Sequence, residues 1–213
     1  MNELGNFYKQ GELDTSKLVP AYQTAFSGWP WFEVSKCVDS NVAQRCVGGL
    51  SRIAVGATCV PCGHRPNQPA YEPVELVERF TILDKTRPTR WYVESVDDTP
   101  ALAALAWSAV PADIAREKYS DVPKMQKWLI DRLGSEPIIW LDEVFADKTV
   151  RPNGNLTNFK SMCEGFMSAL NNTQLAYRTI SPSMIRAAEK NFNVKPDETA
   201  PDYRSLLKIT GIL

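Results

Sequence analysis

The sequence predicts an α/β (α+β) domain in which a mixed central sheet is flanked by helices. Residues 90–95 alternate in polarity and residues 101–110 are apolar throughout, with turn-forming residues 97–100 between them, which indicates an antiparallel hairpin. Further along the chain, strand-like runs at 138–146 and 174–180 alternate with helical patterns, an order typical of an α/β or α+β sheet. The length of 213 residues suits one domain better than two large cores.

Five helices are predicted from apolar residues spaced three and four apart. They cover, in order, residues 15–26, 73–83, 123–133, 156–170 and 182–192. Thr15 or Ser16 can cap the first helix, Pro73 suits the first position of the second, and Gly134 suits a stop after the third. A short closing element is predicted around residues 206–209.

The composition argues against several classes of protein. The net charge of −1 offers no support for a broad polyanion-binding surface. No apolar run approaches the roughly 20 residues of a membrane-spanning helix. The polar residues 1–10 lack the basic-then-apolar build of a signal peptide. We therefore expect a soluble, cytoplasmic protein without a membrane partner.

Residues 33–70 have little periodicity and hold most of the cysteines. The pattern is C-x8-C-x12-C-x2-C, formed by Cys37, Cys46, Cys59 and Cys62. The closely spaced second pair resembles a zinc knuckle, and a bound metal would supply folding energy that the segment lacks. We therefore expect a structural zinc ion in this Cys-rich insert, with His64 able to replace one cysteine. Free thiols and a disulfide stay open as alternatives.

A candidate phosphate-binding loop lies at residues 151–156, between a predicted strand and a predicted helix. A loop at such a junction points several backbone N–H groups the same way, and the helix dipole adds positive potential, so a phosphate or pyrophosphate is favoured. Gly154 allows close backbone approach, and Arg151 can donate a charge-assisted hydrogen bond to a phosphate oxygen. A plain turn would show the same Pro-Asn-Gly sequence, so the loop alone does not decide.

The segment as a whole resembles the acetyl-CoA-binding core of the Gcn5-related N-acetyltransferases (GNAT), whose pyrophosphate loop reads Arg/Gln-x-x-Gly-x-Gly/Ala after the fourth strand. Arg151 and Gly154 match that pattern, and Leu156 departs from it. The resemblance covers residues 138–192 and, more loosely, 15–35 and 90–110. It implies that the strand ending at Ala146 splays from its neighbour and hydrogen-bonds the pantetheine arm. The residues implied to contact the coenzyme are Val144, Phe145, Ala146, Arg151, Asn153, Gly154, Asn155 and Leu156.

The resemblance also implies the catalytic residues. Glu143 matches an acidic position that many members carry on the fourth strand, and we expect it to accept a proton from the amine, directly or through water. A solvated carboxylate or a salt-bridge partner would look the same in the sequence. Strand alternation predicts that Asp142 and Glu143 lie on opposite faces, so that only one can face the substrate. Ala188 stands about where the family often has a tyrosine as general acid, which leaves Tyr177 and Ser183 as the expected proton donors.

The expected protein is a single GNAT-like domain over residues 1–213, including the Cys-rich insert. It would move an acetyl or other acyl group from coenzyme A to an amine on a small molecule or a macromolecule, by direct attack with base assistance. The alternative is a non-catalytic, zinc-stabilised binding module on a GNAT-like scaffold that contacts nucleic acid, because Arg45, Arg52 and Arg65 surround the cysteines. A homodimer is compatible with either function. The insert and residues 111–135 are expected to form the acceptor pocket.

Overall fold

The computed structural model describes residues 5–27, 33–36, 50–51, 68–150, 156, 158–202 and 204–211. Its strands are β1 (Asn6–Lys9), β2 (Ser35–Lys36), β3 (Leu50–Ser51), β4 (Gln68–Pro69), β5 (Thr89–Val96), β6 (Thr99–Ala109), β7 (Ile138–Ala146), β8 (Gln174–Thr179) and β9 (Ser205–Thr210). Six of them form a mixed sheet in the order β1-β5-β6-β7-β8-β9, in which β7 and β8 run parallel and the other neighbours run antiparallel. The predicted α/β class with a mixed central sheet is confirmed.

The helices cover both faces of this sheet. They are α1 (Val19–Ser27), α2 (Pro73–Thr86), α3 (Pro111–Lys118), α4 (Pro123–Leu133), α5 (Phe159–Ala169) and α6 (Pro182–Phe192). A 3-10 turn at Thr15–Leu18 leads into α1, and Asp14 caps it by accepting a hydrogen bond from the backbone N–H of Ser16. The prediction of Thr15 or Ser16 as the cap is therefore wrong by one or two positions, since the carboxylate of Asp14 reaches the N–H two residues on.

Two elements of the main architecture were not predicted. β1 is four residues long and mostly exposed, so it has no apolar periodicity, and only its antiparallel pairing with β5 defines it. Helix α3 does carry helix signals, with Pro111 at its first position, Asp113 in its first turn and Lys118 in its last turn. In the insert, β2 pairs with both β3 and β4 to make a small three-stranded sheet.

The β5–β6 hairpin places the most apolar strand at the centre of the sheet. Asp97 and Asp98 close the hairpin with φ values of 48° and 61°, which suits a two-residue turn whose central residues both have positive φ. Residues 101–107 of β6 are at most 2% exposed, because helices cover the sheet on both sides.

The two faces of the sheet have separate apolar cores. Helices α5 and α6 pack on one face, against Leu102, Ala104, Ile139 and Leu141 among others. Helices α1 and α2 pack on the opposite face against Leu105 and Phe145. Residues of α3 and α4 extend that second face against Trp107 and Trp140. None of the helices in the described ranges has the length and apolar character needed to cross a membrane.

Candidate active site

The central feature of the site is the separation of β7 from β8. The two parallel strands pair at Ile139 with Leu175 and at Trp140 with Ala176, and the described residues show no further pairing between them. β7 nevertheless continues to Ala146. A cavity of about 310 Å³ opens where the strands part, with charged side chains and aromatic rings in its lining.

A β-bulge in β7 sets the orientation of two acidic residues at this cavity. Leu105 of β6 faces Glu143, whereas the next residue, Ala106, faces Leu141, so Asp142 is the extra residue on β7. Trp140 before the bulge and Phe145 after it belong to the cores on the same face of the sheet.

The bulge therefore resets the alternation of side chains along β7. Asp142 follows Trp140 by two residues and Glu143 precedes Phe145 by two, so both carboxylates lie on the face that α1, α2 and α3 cover. The prediction that Asp142 and Glu143 lie on opposite faces is wrong for this reason. Both residues line the cavity.

Glu143 is almost buried and is paired with a cation. Its side chain is 11% exposed, and Oε1 accepts a hydrogen bond in an ion pair from Nη2 of Arg79. The pKa of the Glu143 carboxyl is raised to about 6, chiefly by burial; Asp142 and Glu33 contribute to the rise, whereas Arg79 and Lys118 oppose it. A carboxyl group with this pKa is mostly ionised at neutral pH and can accept a proton.

Arg79 of α2 holds Glu143 in place at the cavity. Its Nη1 donates to the hydroxyl oxygen of Tyr22 over 3.1 Å, and its guanidinium carbon lies 5.9 Å from the centre of the Tyr22 ring. Tyr22 belongs to α1, Arg79 to α2 and Glu143 to β7, so the contact joins three elements. Substitution of Arg79 should therefore affect both the position and the ionisation of Glu143.

Asp142 has partners of its own. Its Oδ1 forms an ion pair with Nζ of Lys118 at the end of α3, and its Oδ2 accepts a hydrogen bond from Nε1 of Trp107 over 3.3 Å. The Asp142 side chain is 4% exposed. Two neighbouring carboxylates thus lie at the cavity, each paired with a different cation from a different helix.

Aromatic side chains and a third carboxylate form another part of the cavity wall. The Tyr71 hydroxyl donates a hydrogen bond to Oε2 of Glu33. The Tyr22 ring packs against Tyr71 at 5.0 Å and Phe26 at 4.4 Å between ring centres. This wall combines an apolar surface with a carboxylate acceptor, an arrangement that suits an organic ammonium ion or amine.

Three solved structures share this architecture over almost their full length. Arylalkylamine N-acetyltransferase 2 from Aedes aegypti is 13% identical over 97% of this chain and 98% of its own, with a TM-score of 0.53. The polyamine N-acetyltransferase of Drosophila melanogaster, described as catalysing the formation of N-acetylagmatine, is 9% identical over 98% and 100%, with a TM-score of 0.52. A Corynebacterium glutamicum protein described as histone acetyltransferase HPA2 and related acetyltransferase is 10% identical over 99% and 98%, with a TM-score of 0.50. The chain has the GNAT fold.

At such low identity the likeness shows the fold alone. No protein-family model matches the sequence, and no curated protein matches it. The function of this chain therefore depends on the particular residues at its cavity and not on the fold alone.

The residues predicted to contact the coenzyme are only partly within the described structure. Val144 lines the cavity, Phe145 is buried against α1 and α2, and Ala146 packs against the α5–α6 core. Leu156 packs against that same core. Four further predicted contacts lie outside the described residues: Arg151, Asn153, Gly154 and Asn155.

The backbone of β7 still offers a place for the pantetheine arm in a GNAT fold. Leu141 and residues 143–146 pair with β6 along one edge, and no β8 pairing occupies the other edge in the described structure. Amide groups of a pantetheine arm can hydrogen-bond to an edge of this kind, as an added strand would. This part of the chain fits the predicted coenzyme.

The two predicted proton donors already have hydrogen-bond partners. The Tyr177 hydroxyl donates to the backbone oxygen of Met184 over 3.1 Å, and burial raises the pKa of Tyr177 above its ordinary range. Oγ of Ser183 lies 2.8 Å from Oγ of Ser181 at the start of α6. Ala188 is fully buried in the α5–α6 core. Tyr177 lines the cavity, and its role as an acid, like that of Ser183, stays a prediction.

The predicted zinc site cannot be placed. Its four cysteines and His64 lie outside the described residues, and the described ranges hold no group of three or more His, Cys, Asp or Glu that could bind a metal ion. The candidate ligands are Cys37, Cys46, Cys59 and Cys62. Structural zinc in the insert therefore stays a prediction.

Sequence reasoning missed several side chains of the site. Arg79 had a local signal in its spacing alone, because it lies three residues after Leu76 and four before Leu83, two residues that α2 buries. Lys118 was missed together with its helix. Glu33 begins the insert and Tyr71 directly follows it, and only the folded chain brings the two residues together at the cavity; they are 38 residues apart.

Proposed function

We propose that this protein is an N-acyltransferase that moves an acyl group, with acetyl as the first candidate, from coenzyme A to an amine. One observation carries the proposal: β7 and β8 separate beyond Trp140, and the nearly buried carboxylate of Glu143 lies at the cavity formed there. The GNAT fold of the chain and its likeness to solved acetyltransferase structures support it.

Glu143 is the proposed base. An amine can attack a thioester only when its nitrogen lone pair is free, so a proton must leave the nitrogen before or during the attack. The ionised carboxylate of Glu143 can accept that proton directly or through a water molecule. Arg79 cannot serve, because a guanidinium has no lone pair to offer at neutral pH; its role is to orient the carboxylate and keep it ionised.

The edge of β7 is proposed to stabilise the charge that develops on the thioester oxygen. Backbone N–H groups between residues 141 and 146 that point away from β6 can donate to this oxygen without any reorganisation. The thiolate that leaves needs a proton, and Tyr177 and Ser183 are the predicted donors. Coenzyme A itself would supply the activated acyl group.

The proposed acceptor is a primary amine with an apolar or aromatic body. Tyr22, Phe26 and Tyr71 provide rings for such a body, and Glu33 provides a carboxylate that attracts an ammonium ion. The Aedes aegypti protein is described as acting on arylalkylamines and the Drosophila melanogaster protein as acting on polyamines. Both classes of amine are therefore the first to test.

Two measurements test the proposal. Titration calorimetry with acetyl-CoA should show binding, and Arg151→Glu should abolish it, because the reversed charge repels the pyrophosphate. Release of free thiol from acetyl-CoA in the presence of arylalkylamines or polyamines should show turnover. Glu143→Gln should lower that turnover by about 10²–10⁴ fold while acetyl-CoA still binds.

The matched control is Glu78→Gln on α2, because Glu78 is exposed and lies outside the cavity. This variant should bind and turn over like the unmodified protein. Enzymes ordinarily have KM values up to about 1 mM for their substrates. Absence of acetyl-CoA binding at about that concentration would rule out the proposed function.

A further inference from the structure

We propose that Asp142, held in place by Lys118 and Trp107, is a positioning residue that sets how tightly Glu143 binds its proton. The inference rests on the proposed function only in taking Glu143 as the catalytic base. The geometry behind it is independent of that function.

The bulge in β7 places the carboxylates of Asp142 and Glu143 on the same face of the sheet, where their charges interact. In a regular strand, the side chains of residues 142 and 143 would be separated by the sheet. Here both are on the same face, both line one cavity, and both are nearly buried, with side-chain exposures of 4% and 11%. Coulomb interactions between such neighbours are screened by water much less than on the surface.

Two contacts hold the Asp142 carboxylate where it is. Lys118 reaches one oxygen from the end of α3, and the indole N–H of Trp107 donates to the other oxygen from β6. Each contact places a hydrogen-bond donor or a positive charge against one of the two Asp142 carboxylate oxygens. The Asp142 carboxylate is thereby held beside Glu143, and its charge raises the pKa of the Glu143 carboxyl.

The other groups that face Glu143 act from different directions. They are Arg79 from α2, Tyr22 from α1, Lys118 from α3, Glu33 from the start of the insert and Tyr71 from directly after it. Arg79 contacts Glu143 directly and lowers its affinity for a proton. Lys118 forms its ion pair with Asp142, and its positive charge also lowers the affinity of Glu143 for a proton.

Removing the charge of Asp142 and removing the charge of Lys118 should therefore shift the pKa of Glu143 in opposite directions. A negative charge beside Glu143 disfavours its ionised form, so removing that charge in Asp142→Asn should make Glu143 more acidic. Removing the positive charge in Lys118→Met should make Glu143 less acidic, since the charge of Asp142 is no longer balanced. General damage to the fold would not produce shifts of opposite sign.

The decisive experiment follows the Glu143 carboxyl carbon by ¹³C NMR as the pH is raised, with the Glu143→Gln spectrum used to assign the signal. Asp142→Asn should lower the midpoint by about one pH unit, and Lys118→Met should raise it by a similar amount. The protein that carries both Asp142→Asn and Lys118→Met should have a Glu143 midpoint close to that of the unmodified protein. If acyl transfer is also observed, the acid limb of its pH profile should move with the NMR midpoint.

Asp113 and Arg116 provide the matched control, because they form an ion pair on the same helix as Lys118 but are 55% and 73% exposed. Asp113→Asn and Arg116→Met should leave the Glu143 midpoint unchanged. Equal midpoints in the unmodified protein and in both cavity variants would overturn the inference, and so would shifts of the same sign. Because NMR needs no turnover, lack of acyl transfer would refute the proposed function without affecting this result.

Discussion

Nη2 of Arg79 pairs with Oε1 of Glu143 while Nη1 of Arg79 donates to the hydroxyl of Tyr22 over 3.1 Å. A planar guanidinium can make both contacts at once, which a lysine ammonium on a flexible stem does less well. The carboxylate of Glu143 is thereby tied to α1 and α2, the two helices that cover this end of the sheet.

Arg79→Met should make Glu143 a weaker acid. Without the guanidinium, burial and the negative charge of Asp142 act on Glu143 with less opposition, so the pKa of Glu143 should rise by about one pH unit. The acid limb of the acyl-transfer profile should move to higher pH by the same amount. Arg79→Lys keeps a positive charge at this position, so the pKa of Glu143 should rise by less than in Arg79→Met. An unchanged limb in Arg79→Met would show that the ion pair does not control Glu143.

The pH dependence of acyl transfer should report the ionisation of Glu143. Burial raises the pKa of this carboxyl to about 6, and only the ionised form can accept a proton. The rate should therefore increase about tenfold per pH unit below pH 6 and level off above it. Initial rates between about pH 4.5 and 8 at saturating substrate would measure this. In Glu143→Gln the remaining rate should lack this limb, and a limb that persists would assign it to another group.

Tyr177→Phe separates a structural role from a catalytic one. Loss of the hydroxyl leaves the Met184 carbonyl oxygen without its buried donor, so the free energy of unfolding in urea should fall by about 1 kcal/mol. If Tyr177 also protonates the leaving thiolate, turnover at saturating substrate should fall tenfold or more. Normal turnover with reduced stability would remove Tyr177 as the acid. Ser183→Ala, measured in parallel, would then test the other predicted donor.

Gly165 allows β1 to pack closely on α5. A Cβ at this position would lie 2.2 Å from Cζ of Phe7, whose ring packs against Tyr92 and Phe166. Glycine to alanine in a helix interior ordinarily stabilises by about 1 kcal/mol. Here Gly165→Ala should give no such gain, because it displaces the Phe7 ring.

A double-mutant cycle measures the contact between Gly165 and Phe7. In a Phe7→Ala background, Gly165→Ala should stabilise by about 1 kcal/mol, because the obstructing ring is gone. Urea unfolding of all four proteins gives the coupling energy. If Gly165→Ala raised the free energy of unfolding by the full amount with Phe7 intact, the Phe7 ring would not obstruct a side chain at position 165.

The local parts of the fold could be predicted because their signals are local. The strand 138–146 and the helices beginning at Pro73 and Pro182 follow from hydrophobic periodicity and from proline at a first helical position, and the structure confirms all three. β1 could not be found in this way, because an exposed four-residue strand carries no periodic pattern and is defined by its partner. The single-domain boundary at residues 1–213 stays a prediction.

The sequence by itself determined the order of strands and helices from α4 to α6 and the position of Glu143 on a strand before a helix. The tertiary structure alone decided that Asp142 shares the face of Glu143, because that depends on how β6 and β7 pair across the bulge. It also decided that Arg79 and Lys118 are the cations that pair with these two carboxylates. Glu143 is 64 residues from Arg79, and nothing in local periodicity specifies a contact over that distance. Such contacts arise when helices pack onto a sheet, where burial forces each charge to find a partner.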